Sequence, residues 1–144
     1  MAIGTSAVTN TITAGKGADS ITLGTTGAKD TIVIAAGDTG ATLATADKIT
    51  GFIKTEDKLS LGVAGDATPV TGNYKTADVA KAAADAAANA AMDGTVIYFL
   101  ASTGGTAAAD SALYIDRDAD GTFDEIIELS GVLAAGFVAT DIIA

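Results

Sequence analysis

The residues in this chain best suited to chemistry are aspartates in one closely spaced run. Residues 116–124 have the sequence Asp-Arg-Asp-Ala-Asp-Gly-Thr-Phe-Asp. Carboxylates at alternate positions, followed by a glycine where the backbone turns sharply, supply the oxygen ligands and the geometry that Ca²⁺ requires. We therefore predict a calcium site whose ligands are Asp116, Asp118, Asp120, Thr122 (through its carbonyl) and Asp124.

The run follows the first part of an EF-hand loop and departs from it at the end. Counted from Asp116, its ligands fall at positions 1, 3, 5, 7 and 9, with Gly121 at position 6. Position 12 is Ile127, where an EF-hand has a bidentate glutamate. We expect a smaller calcium loop that is completed by water or Glu125. The alternative is an acidic hairpin turn that binds no metal.

A second set of acidic residues belongs to a short repeat in the first half of the chain. The tripeptides at 10–12, 19–21 and 30–32 each place Asn or Asp two positions before an isoleucine, and similar segments start at Asp47 and Asp57. This pattern predicts short parallel strands whose apolar residues stack inward and whose turn residues share a cation with the next turn. The candidate ligands are Asn10, Asp19, Asp30, Asp47, Asp57 and, in the glycine-rich turn before Asp19, Gly15 and Gly17. Alternatively, these residues only bond to backbone amides in turns.

Composition excludes several other kinds of chemistry. The 144 residues include no Cys and no His, which rules out disulfides, Cys/His zinc sites, thiol nucleophiles and imidazole bases. With no phosphate-binding loop either, we expect that the protein is not an enzyme. Lys and Arg number 8 against 18 Asp and Glu, and the net charge of −10 argues against nucleic acid or an anionic membrane surface as a partner. It suits a chain whose folding depends on cations.

The hydrophobic pattern predicts a mainly β fold. Strands are expected at 49–53, 58–63, 95–100, 111–115 and 125–129, with loops at 64–77 and 101–110. An alanine-rich helix is expected over about 76–93, with Thr76 or Asp78 as its N-cap and Gly94 as its C-cap. The alternative for that segment is a flexible linker.

These motifs, taken in order, resemble the C-terminal part of RTX (repeat-in-toxin, hemolysin-type) calcium-binding proteins. The family's nonapeptide is two glycines, any residue, glycine, any residue, aspartate, any residue, a large apolar residue and any residue. Residues 14–22 match it, except that Ala14 replaces the first glycine. Residues 47–61 and 114–143 are similar to the region that follows such repeats. The resemblance implies a short parallel β-roll over 1–63 and a β-sandwich-like lobe with the helix over 64–144, packed as one domain or two.

The resemblance also implies a function. RTX proteins are exported by a type I secretion machinery that recognises an uncleaved C-terminal segment, and the N-terminal residues here show no apolar leader. We expect a secreted or cell-surface bacterial protein, with Ca²⁺ as its cofactor and no membrane insertion. Because no helix or charged cap precedes the first repeat, we expect head-to-tail self-assembly into filaments, a surface layer or a biofilm matrix. The alternatives are a monomeric calcium-dependent adhesin using Tyr74, Tyr98 or Tyr114, and the secretion domain of a larger RTX protein.

Overall fold

The computed structural model describes residues 9–24, 27–69, 71–102 and 110–144, in which most of the regular structure is β-strand. Ten strands are assigned there, and they form two sheets. Their bounds are β1 Thr11–Thr13, β2 Ser20–Thr22, β3 Thr31–Val33, β4 Asp47–Thr50, β5 Lys58–Ser60, β6 Tyr74–Asp78, β7 Tyr98–Ser102, β8 Ser111–Ile115, β9 Glu125–Ser130 and β10 Ile142–Ile143. The prediction of a mainly β fold is confirmed.

Strands β1 to β5 alternate between the two sheets. The four-stranded sheet has the order β1-β3-β5-β10 and is parallel throughout. The six-stranded sheet has the order β2-β4-β9-β8-β7-β6, in which β8 is antiparallel to both of its neighbours and the other pairs are parallel. Each repeat therefore pairs with every second copy, so that Ile12 aligns with Ile32 and Ile21 with Ile49.

The core between the sheets explains the spacing of the repeat. The strands β1, β2, β3 and β5 each contribute one buried central side chain, flanked by residues that are exposed or half-buried. One buried cluster takes Ile12, Ile32 and Leu59 from the four-stranded sheet and Ile49 and Leu129 from the six-stranded sheet. Successive side chains of a strand point to opposite faces, so three residues are enough to place one apolar group in the core.

The α-helix of the described residues is shorter than predicted. α1 spans Ala84–Ala91 and follows a 3₁₀ turn over Lys81–Ala83, so the prediction of a helix over 76–93 is wrong at both ends. Residues 74–78, predicted partly as loop and partly as helix, form β6 because their backbone pairs with β7. The residues that flank α1 are Ala83 and Met92, not the predicted caps Thr76, Asp78 and Gly94. No helix in the described ranges is long and apolar enough to cross a membrane.

Alanine allows α1 to lie close to the six-stranded sheet. Ala84 and Ala88, one turn apart, are buried in a second cluster together with Phe99 and Ala101 of β7. Strands β7 and β8 are therefore covered on both faces, and every residue in them is buried. The helix and the two sheets form three layers, and the acidic loop begins at the end of the central layer.

The remaining strand predictions lie close to the observed bounds. Those at 111–115 and 125–129 are confirmed as β8 and β9, and the predicted hairpin between them is present. The strands predicted at 49–53, 58–63 and 95–100 are observed at 47–50, 58–60 and 98–102. Residues 103–109 of a predicted loop and residues 1–8 of the predicted β-roll lie outside the described residues. Both sheets combine strands from either side of residue 63, because β9 pairs with β4 and β10 with β5.

Candidate metal centre

The acidic loop, residues 116–124, joins β8 to β9 at the tip of their hairpin. Strand β8 is buried along its whole length, so the chain leaves the core at Asp116. The backbone then turns back through two residues in left-handed conformations, Ala119 (φ 59°) and Gly121 (φ 92°). A turn of this kind brings alternate side chains together, as the spacing predicted.

Three carboxylates converge inside the loop. Oxygen atoms of Asp116, Asp118 and Asp120 all lie within 4.8 Å of one another. Asp116 is fully buried, and its two oxygens accept the N–H groups of Asp120 (3.2 Å) and Gly121 (2.9 Å). Asp118 accepts the same N–H group of Asp120 at 3.3 Å. The backbone of the loop therefore holds three negative charges close together.

The protonation behaviour of the loop reflects this crowding. Partial desolvation raises the pKa of Asp118, and the charges of the other loop aspartates raise it further. The pKa of Asp120 is lowered, because the hydroxyl and the N–H of Thr122 both donate to its Oδ1. Asp120 thus stays ionised, while Asp118 is repelled by its neighbours. A divalent cation between the carboxylates would remove that repulsion.

The other predicted ligands of the loop are placed differently. Asp124 lies outside the convergent group, and its Oδ2 accepts the N–H of Arg117 at 2.8 Å, which closes the base of the loop. Glu125 is buried and its carboxylate faces Arg117 at 2.7 Å. Because that carboxylate is already paired with a cation, water is favoured over Glu125 as the group that completes the calcium shell, and both stay predictions. Thr122 orients Asp120 through its hydroxyl and N–H.

Aromatic and helical contacts support the outer side of the loop. Phe123 packs edge-on against Tyr114, with ring centroids 4.8 Å apart. The Tyr114 hydroxyl donates to Asp85 of α1 at 2.7 Å, and the N–H of Phe123 donates to Asn89 of α1 at 3.4 Å. The helix therefore anchors the loop as well as covering the sheet.

The aspartates of the repeat lie in two polar ladders that run across the sheets. The first ladder, in the four-stranded sheet, consists of the residues directly before β1, β3, β5 and β10, which are Asn10, Asp30, Asp57 and Asp141. The Oδ1 of Asp30 accepts both the N–H (3.0 Å) and the side-chain amide (2.7 Å) of Asn10. Asp57 accepts the N–H of Asp30 at 3.0 Å and that of Ile53 at 2.8 Å. Asp141 ends the ladder and faces Lys58 at 2.9 Å.

The second ladder, in the six-stranded sheet, consists of Asp19 and Asp47. The N–H of Asp19 donates to Asp47 Oδ1, and the N–H of Asp47 donates to the hydroxyl of Thr39, both at 2.8 Å. Residues predicted to share a cation with the adjacent turn thus share hydrogen bonds with it. In the described part of the chain, neither ladder contains three convergent carboxylates. Calcium binding stays a prediction for Asn10, Asp19, Asp30, Asp47 and Asp57.

The ladders bury negative charge at a cost. Asp30 and Asp47 are fully buried, and the Oδ2 atom of each lacks a hydrogen-bond partner among the described residues. Burial raises the pKa of Asp47, and the charges of three neighbouring carboxylates add to the effect. Burial also raises the pKa of Asp57. Hydrogen bonds from the adjacent strand keep these side chains in place despite that cost.

The glycine-rich turn before Asp19 has the sharp backbone geometry that its glycines suggest. Gly15 (φ 82°) and Gly17 (φ 118°) both adopt left-handed conformations. The N–H of Gly17 donates to the carbonyl of Asp38 at 3.0 Å, which joins this turn to the turn that follows β3. The fold alone accounts for both glycines, so calcium binding by Gly15 and Gly17 stays a prediction.

Arg117 is a candidate functional residue that the spacing of the aspartates does not reveal. Its side chain leaves the acidic loop, and its Nε donates to Glu125 at 2.7 Å. The same guanidinium donates to the backbone carbonyls of Ile34 and Leu61, directly after β3 and β5. The available signal was its position between Asp116 and Asp118, because a basic side chain in a run of carboxylates cannot be a metal ligand and needs another role.

The tyrosines belong to the core. Tyr74, Tyr98 and Tyr114 are 8%, 1% and 0% exposed, so none of them provides the surface ring that an adhesin would need. Burial raises the pKa of Tyr74 to about 12, as expected for a phenol surrounded by apolar groups. The tyrosines therefore stabilise the fold, and the acidic loop is the better candidate for a binding site.

Comparisons with known proteins do not assign the chain to a family. No model of a protein family matches it, and no curated protein matches it.

Proposed function

We propose that this protein is a calcium-binding structural protein and that the acidic loop is its principal ion site. The observation that carries the proposal is the convergence of Asp116, Asp118 and Asp120 within 4.8 Å. Oxygen ligands at this spacing suit Ca²⁺, whose flexible coordination accepts backbone carbonyls and water at the remaining positions. The bound ion would offset like charges that the N–H groups of the loop only partly balance.

The role proposed for the ion is to stabilise the fold. A chain with a net charge of −10 repels itself, and a cation bound only by the folded state adds stability by mass action. We propose a weak site, with a Kd on the order of 10⁻⁴–10⁻³ M as in extracellular modules. Such a site would bind calcium outside the cell and not inside it. This behaviour supports secretion by the RTX-type route that the sequence resembles, with the alternating strands β1 to β5 as a short parallel β-roll.

The sheet edges support the second part of the proposal, head-to-tail self-association. In the described ranges, β1 and β2 have no strand on their outer sides, and they lie at the same end of the two sheets. Strands β2 and β6 are the two edges of the six-stranded sheet and run in the same direction. A second copy related by translation would pair its β2 with β6 as parallel strands. The four-stranded sheet does not offer the same contact, since Gly65 donates to the carbonyl of Ile142 at 3.1 Å.

Calorimetric titration with calcium tests the ion site. We expect binding by the wild type in the stated range, and affinity at least about tenfold weaker in Asp120→Ala, because one charged ligand is lost. Asp66→Ala is a matched control. Asp66 accepts the N–H and hydroxyl of Thr68 just as Asp120 accepts those of Thr122, but it lies outside the convergent group. No calcium binding by the wild type, or equal losses in both variants, would overturn the proposal.

Light scattering and electron microscopy test self-association separately. We expect filaments or sheets of purified protein in millimolar calcium and smaller particles in chelator. Monomers under both conditions, with calcium binding intact, would refute self-association and leave the ion site standing.

A further inference from the structure

We propose that Arg117 is a positioning residue that couples ion binding in the acidic loop to the order of the four-stranded sheet. The inference rests on the proposed calcium site and adds the route by which the ion affects a distant part of the fold. Arg117 lies between two candidate ligands in the sequence, while its side chain contacts the opposite sheet.

The first step is the contact with the ends of two strands. Ile34 and Leu61 follow β3 and β5, and their N–H groups still pair with the carbonyls of Ser60 (3.1 Å) and Ile143 (3.0 Å). Their own carbonyls accept hydrogen bonds from Arg117, that of Ile34 from Nη2 at 3.2 Å and that of Leu61 from Nη1. The planar fork of a guanidinium holds one Nη group at each carbonyl while its Nε donates to Glu125, three contacts that the single flexible ammonium group of a lysine does not fix in one geometry.

Glu125 adds a second link to the same region. One of its oxygens accepts Arg117 Nε at 2.7 Å, and the other accepts the N–H of Gly37 in the turn after β3. The side chains of Arg117 and Glu125 are only 16% and 5% exposed, so water replaces their contacts poorly. Arg117 and Glu125 thus fasten the hairpin to the ends of β3 and β5.

The third step connects this fastening to the ion. The N–H of Arg117 donates to Asp124 Oδ2 at 2.8 Å, so the backbone of Arg117 is part of the loop. An ion held by Asp116 and Asp118 fixes the residue between them and with it the direction of the guanidinium. Coupling between two sites is reciprocal, so a well-placed Arg117 also favours ion binding.

Amide hydrogen exchange followed by NMR, with saturating calcium and with chelator, tests the coupling in the full chain. In the wild type we expect calcium to slow exchange at the loop amides of Asp120 and Gly121, and to slow exchange at Ile34 and Leu61 by about tenfold. In Arg117→Met the loop amides should still respond to calcium, while the slowing at Ile34 and Leu61 falls below about twofold.

Two further variants separate coupling from a general loss of stability. Lys48→Met removes another ion pair of the six-stranded sheet, Lys48 with Glu128 at 3.0 Å, which does not touch the acidic loop. It should keep the full calcium response at Ile34 and Leu61. Arg117→Lys keeps the charge but lacks the planar fork that contacts both carbonyls and Glu125 together, and it should restore only part of the response. This variant also decides the matter if Arg117→Met does not fold.

The outcomes distinguish this inference from the function on which it rests. A full response at Ile34 and Leu61 in either Arg117→Met or Arg117→Lys overturns the coupling and leaves the calcium site intact. Absence of any calcium response in the wild-type loop overturns the calcium site, and the coupling with it. Loss of the Ile34 and Leu61 response in Lys48→Met as well would show a general loosening and contradict a specific role of Arg117.

Discussion

Aspartate is the main acidic residue of both the polar ladders and the acidic loop, but its carboxylate accepts hydrogen bonds from different backbone N–H groups in the two regions. In the first ladder, Asp30 and Asp57 are buried and each accepts an N–H from the next strand or its flanking residue at 3.0 Å. In the acidic loop, Asp118 and Asp120 are exposed, and the N–H groups that they accept belong to the loop itself. The ladder carboxylates are committed to the fold, whereas the loop carboxylates converge around a shared space.

The comparison shows that the backbone around an aspartate decides its role more than the adjacent sequence does. Both regions contain aspartate near glycine, and both suggest calcium when only spacing is considered. In the ladders, a residue at the start of the neighbouring strand donates its N–H to one oxygen of Asp30, Asp47 and Asp57, so the fold holds these carboxylates without a shared cation. In a hairpin loop no neighbouring strand is present at the tip, so the carboxylates face each other.

The largest effect is expected when a ladder carboxylate is removed. Asp57→Ala leaves the N–H groups of Asp30 and Ile53 without their acceptor, which should lower the free energy of unfolding by about 2–5 kcal/mol. Urea denaturation in calcium measures this loss. Asp93→Ala is the matched control, because Asp93 also accepts two backbone N–H groups but is exposed, so water can replace it. Equal losses in the two variants would contradict the claim that burial makes the loss of an acceptor more destabilising.

The second largest effect is expected when calcium is removed, and it should depend on the acidic loop and not on the ladders. If the loop binds with a Kd of about 10⁻⁴ M, 10 mM calcium adds about 2.7 kcal/mol to the unfolding free energy. We expect Asp120→Ala to lose most of this increment and Asp57→Ala, although less stable overall, to retain it. Urea denaturation of each variant in calcium and in chelator measures the increment. Its disappearance in Asp57→Ala would place an ion in the ladder.

The acidic loop was predictable from sequence because its determinants are local. Asp116, Asp118 and Asp120 belong to one hairpin, and their convergence follows from the turn between two recognisable strands. The ladders were not predictable in this detail. The partner of Asp30 is Asp57, 27 residues away, and nothing near Asp30 in the sequence specifies which strand will lie beside it.

Long-range pairing also explains the other differences from the sequence predictions. Residues 74–78 resemble the start of an alanine-rich helix, but they pair with β7 and form a strand. Arg117 contacts carbonyls 83 and 56 residues earlier in the chain, at Ile34 and Leu61. Local propensity cannot anticipate contacts of this kind, since tertiary pairing overrides it.

The pH dependence of the unfolding free energy tests whether the buried carboxylate of Asp47, in the second ladder, is costly to ionise. Burial raises the pKa of Asp47 above the ordinary value of 3.8. The folded protein then keeps a proton that the unfolded chain has lost, so the contribution of Asp47 is greatest below pH 3.8 and falls as the pH rises through the raised pKa.

Asp47→Asn cannot ionise, and its Oδ1 can still accept the N–H of Asp19. Relative to the wild type, we expect it to gain stability as the pH rises through this window to neutrality, because the wild type must then bury an ionised carboxylate. Urea denaturation at a series of pH values in chelator measures the difference. Parallel pH profiles of the two proteins would show that Asp47 carries no unfavourable charge.

The smallest effect is expected at the ion pair between Lys48 of β4 and Glu128 of β9. Lys48 directly follows Asp47 in the sequence. The pair is 3.0 Å apart, and its side chains are 43% and 14% exposed, so Lys48→Met should cost less than about 1 kcal/mol, and less again at high salt. Strand alternation directs Lys48 away from the face that buries Asp47, which is why the ladder lacks this cation although it is adjacent in sequence. A double-mutant cycle with Glu128→Gln isolates the pair. A coupling energy as large as the loss in Asp57→Ala would mean that charge pairing, and not burial against backbone N–H groups, determines how acidic residues stabilise this fold.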